Sequence, residues 1–206
     1  MTNYFTIAKE TEFSITEKKS EFIGVCAPVE SEAEALAFIE KIKKRHSTAR
    51  HNVYAYVLRD GFITRYSDDG EPHGTAGVPV LDAIKKANLT NTAVVVTRYF
   101  GGILLGTGGL LRAYTAAAVG ALKSAGTREI AAFDLLSLTL TYPDYKKIMS
   151  SIASVNAKTE KSDFSDNVLL TLAVREDMTE RFIKDVSEAT GGRILPEKVG
   201  TKCDFV

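Results

Sequence analysis

Two clusters in this 206-residue chain hold the side chains that chemistry requires. In the first, Asp68, Asp69, Glu71 and His73 fall within six residues. Carboxylates and an imidazole at that density suit a hard cation or a shared proton. The alternating oxygen ligands and distal glutamate of an EF-hand loop are missing, and His73 has no partner at His-x-x-x-His spacing, so no metal is assigned. Asp69-Gly70 and Glu71-Pro72 are also ordinary turn dipeptides. A solvated acidic turn, with Thr75 capping the next helix, accounts for the same residues. They are kept as a secondary site, and no catalytic residue is assigned.

The second cluster is a glycine-rich turn containing Arg98, Tyr99, Gly101, Gly102, Gly106, Thr107, Gly108, Gly109 and Arg112. An apolar β-branched run at 94–96 reads as a buried strand, and the Ala/Leu-rich stretch from 110 to about 125 as a helix. A strand entering a helix through such a turn presents unpaired N–H groups and the positive end of the helix dipole, which suits an anion. Arg98 and Arg112 flank the turn and can add bidentate contacts to a phosphate. Neither nucleotide motif is complete: Thr107 stands where a P-loop has its lysine, and Leu111 where a dinucleotide fingerprint has its third glycine. The reading is an anion-binding turn with no cofactor. The glycines also have a plainer use, supplying positive φ values and letting the helix pack tightly on the strand.

Several elements must position these clusters. Residues 20–29 read as a strand, and Ser31 with Glu34 forms a capping box for a helix over 32–45, with Leu36, Ile39 and Ile42 at core spacing. Strands at 53–59 and 62–66 flank Asp60-Gly61, a hairpin signal, and 75–87 reads as a helix. The pattern loosens at 126–134, which sets the expected domains at 1–132 and 133–206. Beyond it, strand (135–142), helix (143–155), two strands (157–164 and 167–174), helix (178–189) and strand (193–205) spell the ferredoxin-like βαββαβ motif.

Twenty-six basic and twenty-six acidic residues give no net charge, so any nucleic-acid contact must come from a local patch. The densest basic run is Lys41, Lys43, Lys44, Arg45, His46, Arg50 and His51, which also serves simply to complement a helix C-terminus. Tyr54, Tyr56, Tyr66, Tyr99 and Phe100 interleave with Arg59, Arg65 and Arg98; on an open sheet face they would stack bases, and in a core they would only pack. Cys26 and Cys203 form no Cys-x-x-Cys and read as reduced thiols without a disulfide partner. No signal-peptide core or membrane-length apolar run is visible, and the expected location is cytoplasmic.

Ser67-Asp-Asp-Gly-Glu-Pro-His-Gly-Thr-Ala-Gly and Val96-Thr-Arg-Tyr-Phe-Gly-Gly-Ile-Leu-Leu-Gly-Thr-Gly-Gly-Leu-Leu-Arg-Ala-Tyr closely resemble the IMPACT family and its bacterial YigZ branch. Lys19-Ser-Glu-Phe-Ile-Gly and His51-Asn-Val-Tyr-Ala-Tyr match as well, so the resemblance spans the chain. It implies an α+β protein of two domains. The first is similar to the second domain of ribosomal protein five of the small subunit, a fold shared with some small-molecule kinases; the second is ferredoxin-like, similar to the fifth domain of elongation factor G. Eukaryotic relatives compete for the activator of an initiation-factor kinase, a route that does not carry over where their RWD domain has no counterpart.

Three functions follow. The first is a non-enzymatic protein that binds RNA, the ribosome or a translation factor and modulates translation. The second is an enzyme acting on a phosphorylated small molecule, with the glycine turn as cradle and Asp68, Asp69 or His73 as acid/base. The third is a scaffold that binds protein through an edge strand.

Overall fold

A computed structural model describes residues 3–59 and 62–206. The chain divides into two compact units, Tyr4–Glu129 and Ile130–Val206.

In the first unit a five-stranded antiparallel sheet is built from β2 (Thr11–Glu17), β3 (Ser20–Pro28), β4 (His51–Val57), β5 (Thr64–Ser67) and β6 (Thr92–Tyr99), after a short β1 (Tyr4–Ile7). Its spatial order is β2-β3-β6-β4-β5. Helix α1 (Glu32–Arg45) packs on one face, burying Ile23, Val25, Phe38, Ile42 and Val95. Helices α2 (Gly77–Lys86) and α3 (Thr107–Ala125) cover the other, over Phe22, Val53, Val94, Val96 and Tyr114. A strand covered on both sides has no polar face to alternate with, which is why β6 reads as an unbroken apolar run.

Helix α1 forms with its expected cap, Ser31 Oγ accepting from Glu34 N, while Glu34 Oε2 reaches one residue past the cap to accept from Glu30 N. Its buried stripe is Ala35, Phe38, Ile39 and Ile42, whereas Leu36, expected inside, is exposed. Strand β2 was not expected, since only Phe13 and Ile15 interrupt its polar residues. It pairs with β3 from Thr11↔Cys26 to Glu17↔Ser20 across a turn of two positive-φ lysines, Lys18 and Lys19. The expected turn at Asp60-Gly61 lies outside the described residues, but the strands it joins do pair, Tyr54↔Ser67 through Val57↔Thr64.

The second unit contains β7 (Thr127–Leu140), α4 (Tyr142–Ser154), β8 (Lys158–Phe164), β9 (Val168–Arg175), α5 (Thr179–Ala189) and β10 (Glu197–Phe205). The order β8-β9-β7-β10, all antiparallel, is the ferredoxin-like arrangement. Leu136, Leu138, Leu140, Ile148, Leu172, Phe182 and Val186 form its core. Strand β7 begins at Thr127, where the loosened pattern had suggested irregular chain up to residue 134. Ala131, Ala132 and Phe133 are buried there, and adjacent alanines do not alternate visibly.

Candidate functional site

The acidic turn and the glycine turn meet at one end of the first unit's sheet. Glu71 Oε1 accepts from Arg98 Nη1 at 2.7 Å and from the Tyr114 hydroxyl at 2.8 Å, and all three residues are buried. Strand β6 supplies the arginine, α3 the tyrosine, and the turn after β5 the glutamate. Phe22 stands edge-on to Tyr114 with ring centroids 5.1 Å apart, and its ring lies 5.5 Å from the Arg98 guanidinium carbon. Burial, and then the Glu71 carboxylate, push the Tyr114 hydroxyl far above its usual range. An uncharged phenol and a guanidinium both donate to the Glu71 carboxylate, so Glu71 is engaged in structure.

The other acidic residues are tied to backbone. Asp68 Oδ1 accepts from Ala76 N at 3.1 Å and Gly77 N at 2.8 Å, and Oδ2 from Gly74 N at 2.9 Å. It thus caps α2 from eight residues upstream, the role expected of Thr75, whose hydroxyl instead donates to the Pro72 carbonyl. Burial raises the Asp68 pKa, but the three N–H bonds outweigh it and the carboxyl sits below its ordinary value. Asp69 Oδ2 accepts from Asn52 N at 2.6 Å, and its carbonyl lies 2.8 Å from His51 Nδ1. His73 is 92% exposed and 3.6 Å from Asp68 Oδ2. Among the described residues no group of three or more His, Cys, Asp or Glu is arranged to hold a metal ion.

The two flanking arginines part company. Arg98, expected at the edge of the turn, is buried and committed to Glu71, because its strand position points it into the face covered by α2 and α3. Arg112 is exposed. Gly102, Thr107 and Gly108 are exposed too, and α3 follows Gly106, whose φ is 73°, with no side chain capping it. A Cβ added at Gly108 would lie 3.6 Å from Arg112 Nη1, so the guanidinium lies over the helix's first turn. Gly101 is packed against the β2–β3 turn: an added Cβ would come within 2.0 Å of the Lys19 carbonyl, and Gly101 N donates to Ser20 Oγ. That approach sets the exposed Lys18 and Lys19 beside the glycine turn. Tyr99 is half-buried, its hydroxyl 3.1 Å from His46 Nδ1.

Both faces of the sheet are covered by helices, so Tyr54, Tyr56 and Tyr99 pack beneath α1 rather than forming an open stacking face. Burial, then the hydrogen bond to Glu32, push the Tyr56 hydroxyl up to about 12. Part of the basic run is neutralised, Lys41 and Arg45 by Glu10 and Glu12, and Lys43 by Asp69. Burial pushes the Cys26 thiol up to about 12.

Residues 18–122 match the Impact N-terminal domain, and residues 138–193 match a domain of unknown function, DUF1949. The IMPACT family member YvyE of Bacillus subtilis is 40% identical over 192 residues, covering 93% of this chain and 88% of that protein. The chain belongs to the IMPACT family. YigZ of Escherichia coli, another member, is 33% identical over 180 residues, covering 86% of this chain and 88% of its own length. Protein IMPACT-A of Xenopus tropicalis is 37% identical over 99 residues, 45% of this chain and 30% of that longer protein. A crystal structure of a hypothetical protein covers 97% of this chain and 98% of its own at 30% identity, with a TM-score of 0.62. No described helix is long and apolar enough to cross a membrane.

Proposed function

We propose that this IMPACT protein is a non-catalytic RNA-binding module that acts on translation from the ribosome, through the surface at the start of α3. The observation that carries it is the exposed, uncapped N-terminus of α3 with the Arg112 guanidinium laid over its first turn. Unpaired N–H groups at a helix start favour phosphate. Lys18 and Lys19 extend the cationic surface beside Gly101, and none of these three cations has a carboxylate partner among the described residues. Exposed Ile103 and Leu104 in the same turn offer apolar contact to unstacked bases. The non-catalytic reading is supported by the engagement of Asp68, Asp69 and Glu71, whose oxygens hold backbone amides, Arg98 and Tyr114. Translation is the setting that the family resemblance implies.

The test is anisotropy of a labelled single-stranded RNA at low salt, with ribosome co-sedimentation beside it. Arg112→Glu and Lys19→Glu should each weaken binding about tenfold or more, and Lys184→Glu on α5 should not. RNA binding that is absent in the wild type, or indifferent to Arg112 and Lys19, overturns the reading.

A further inference from the structure

Arg98 has work left after Glu71 is satisfied. Its side chain is only 7% exposed, and Nη1 is spent on Glu71, yet Nε is buried with no hydrogen-bond partner among the described residues. Buried guanidinium N–H groups are rarely left unpaired, because desolvation without a replacement bond is costly. The same residue lines a cleft of about 410 Å³ with Thr48, Ala49, Arg50, Tyr99 and Phe100. The cleft lies where the loop after α1 passes the end of β6. Arg50 is exposed there and has no carboxylate partner among the described residues.

We propose that this cleft binds a phosphomonoester, the phosphate group of a nucleotide, between Arg50 and the unpaired edge of Arg98. Arg50 supplies the net positive charge, Arg98 the N–H that still lacks an acceptor, and the forked donors of a guanidinium match phosphate oxygens. Thr48, which also lines the cleft, carries a hydroxyl capable of donating to an anion. The volume far exceeds what a bare anion occupies and falls within the range of small-molecule pockets, so the phosphate brings a body with it. The ring of Phe100, 53% exposed and 5.5 Å from the Arg98 guanidinium carbon, offers a face suited to a flat base. The site differs from the α3 surface and holds or falls without RNA binding there.

Calorimetric titration with adenosine 5′-monophosphate, adenosine and inorganic phosphate tests it. The nucleotide should bind, and adenosine and phosphate should each bind at least about tenfold more weakly. Arg50→Ala should weaken nucleotide binding about tenfold, the loss of one charge-assisted contact, without moving the melting temperature. Arg98→Lys keeps a charge for Glu71 but removes Nε, and should weaken it likewise; if that variant unfolds, Arg50→Ala decides. Lys184→Ala on α5, outside the cleft lining, should leave the affinity unchanged. Short RNAs with a 5′-phosphate or a 5′-hydroxyl then distinguish a strand end from a free nucleotide as the source. Equal affinity for nucleotide and adenosine, equal affinity for nucleotide and bare phosphate, no nucleotide binding, or indifference to Arg50→Ala overturns the proposal.

Discussion

At the scale of single residues, the chemistry of the acidic turn is turned inward. The Glu71 and Arg98 side chains are 4% and 7% exposed, so removing one leaves the other's charge buried and unpaired. Arg98→Ala is therefore expected to destabilise the fold by about 3–5 kcal/mol, measured by urea unfolding. Tyr114→Phe removes only one of two donors to Glu71 and should cost about 1–2 kcal/mol. A loss below 1 kcal/mol for Arg98→Ala would show that the pair is not structural. Asp68 supplies a pH signature. Its pKa is depressed in the fold, so the stability it contributes is present above the unfolded value, near 3.9, and is lost as pH falls through the folded value. Asp68→Asn should then cost about 1–2 kcal/mol at neutral pH, and the gap to wild type should close under acid. A gap that persists once the carboxyl is protonated would contradict this account. The types and spacing of these residues were plain in the chain, but their partners were not. Tyr114 lies 43 residues from Glu71, and no local pattern predicts such a pairing. The Asp68 cap was missed as well, because Thr75 stands next to the helix start and an aspartate eight residues before Ala76 gives no local signal.

At the scale of elements, legibility followed local signals. Helix α1 announced itself through Ser31 and Glu34, and β6 through its valines, because capping and burial on both faces are written in adjacent residues. Strand β2 escaped because its hairpin turn uses Lys18 and Lys19 instead of glycine or asparagine, and because its apolar residues are few. The closeness of α3 to the sheet was also hidden. Ala113, Ala117 and Ala121 face β3, and a Cβ added at Gly24 would come 2.5 Å from the Ala117 carbonyl oxygen. Backbone cannot yield as a flexible side chain can, so Gly24→Ala should push α3 away and cost about 1–3 kcal/mol. Thermal melting checks this, with exposed Gly102→Ala as a poor control because its φ is positive, and Ala116→Ser on the outer face of α3 as a sound one. A Gly24→Ala variant as stable as wild type would mean that helix and strand are less tightly apposed.

At the scale of the whole molecule, 26 basic and 26 acidic residues cancel, so long-range attraction to a polyanion is weak and binding must rest on a few placed cations. Pairing reduces the number further, since Lys41, Lys43 and Arg45 are held by carboxylates. At the α3 surface the unpaired set is Lys18, Lys19 and Arg112. If each neutralises one phosphate of a single strand, the logarithm of affinity should fall with the logarithm of salt at a slope of about −2. That is shallow beside a strongly basic nucleic-acid binder, and it follows from charge placement instead of charge total. Arg112→Ala should flatten the slope by about 0.7, whereas Lys41→Ala, whose ammonium is already held by Glu10, should leave it unchanged. Affinity measured across a salt series for the three proteins separates local from diffuse attraction. If Lys41→Ala flattens the slope as much as Arg112→Ala does, the phosphates follow the basic run at the end of α1, and the α3 surface is not where RNA sits.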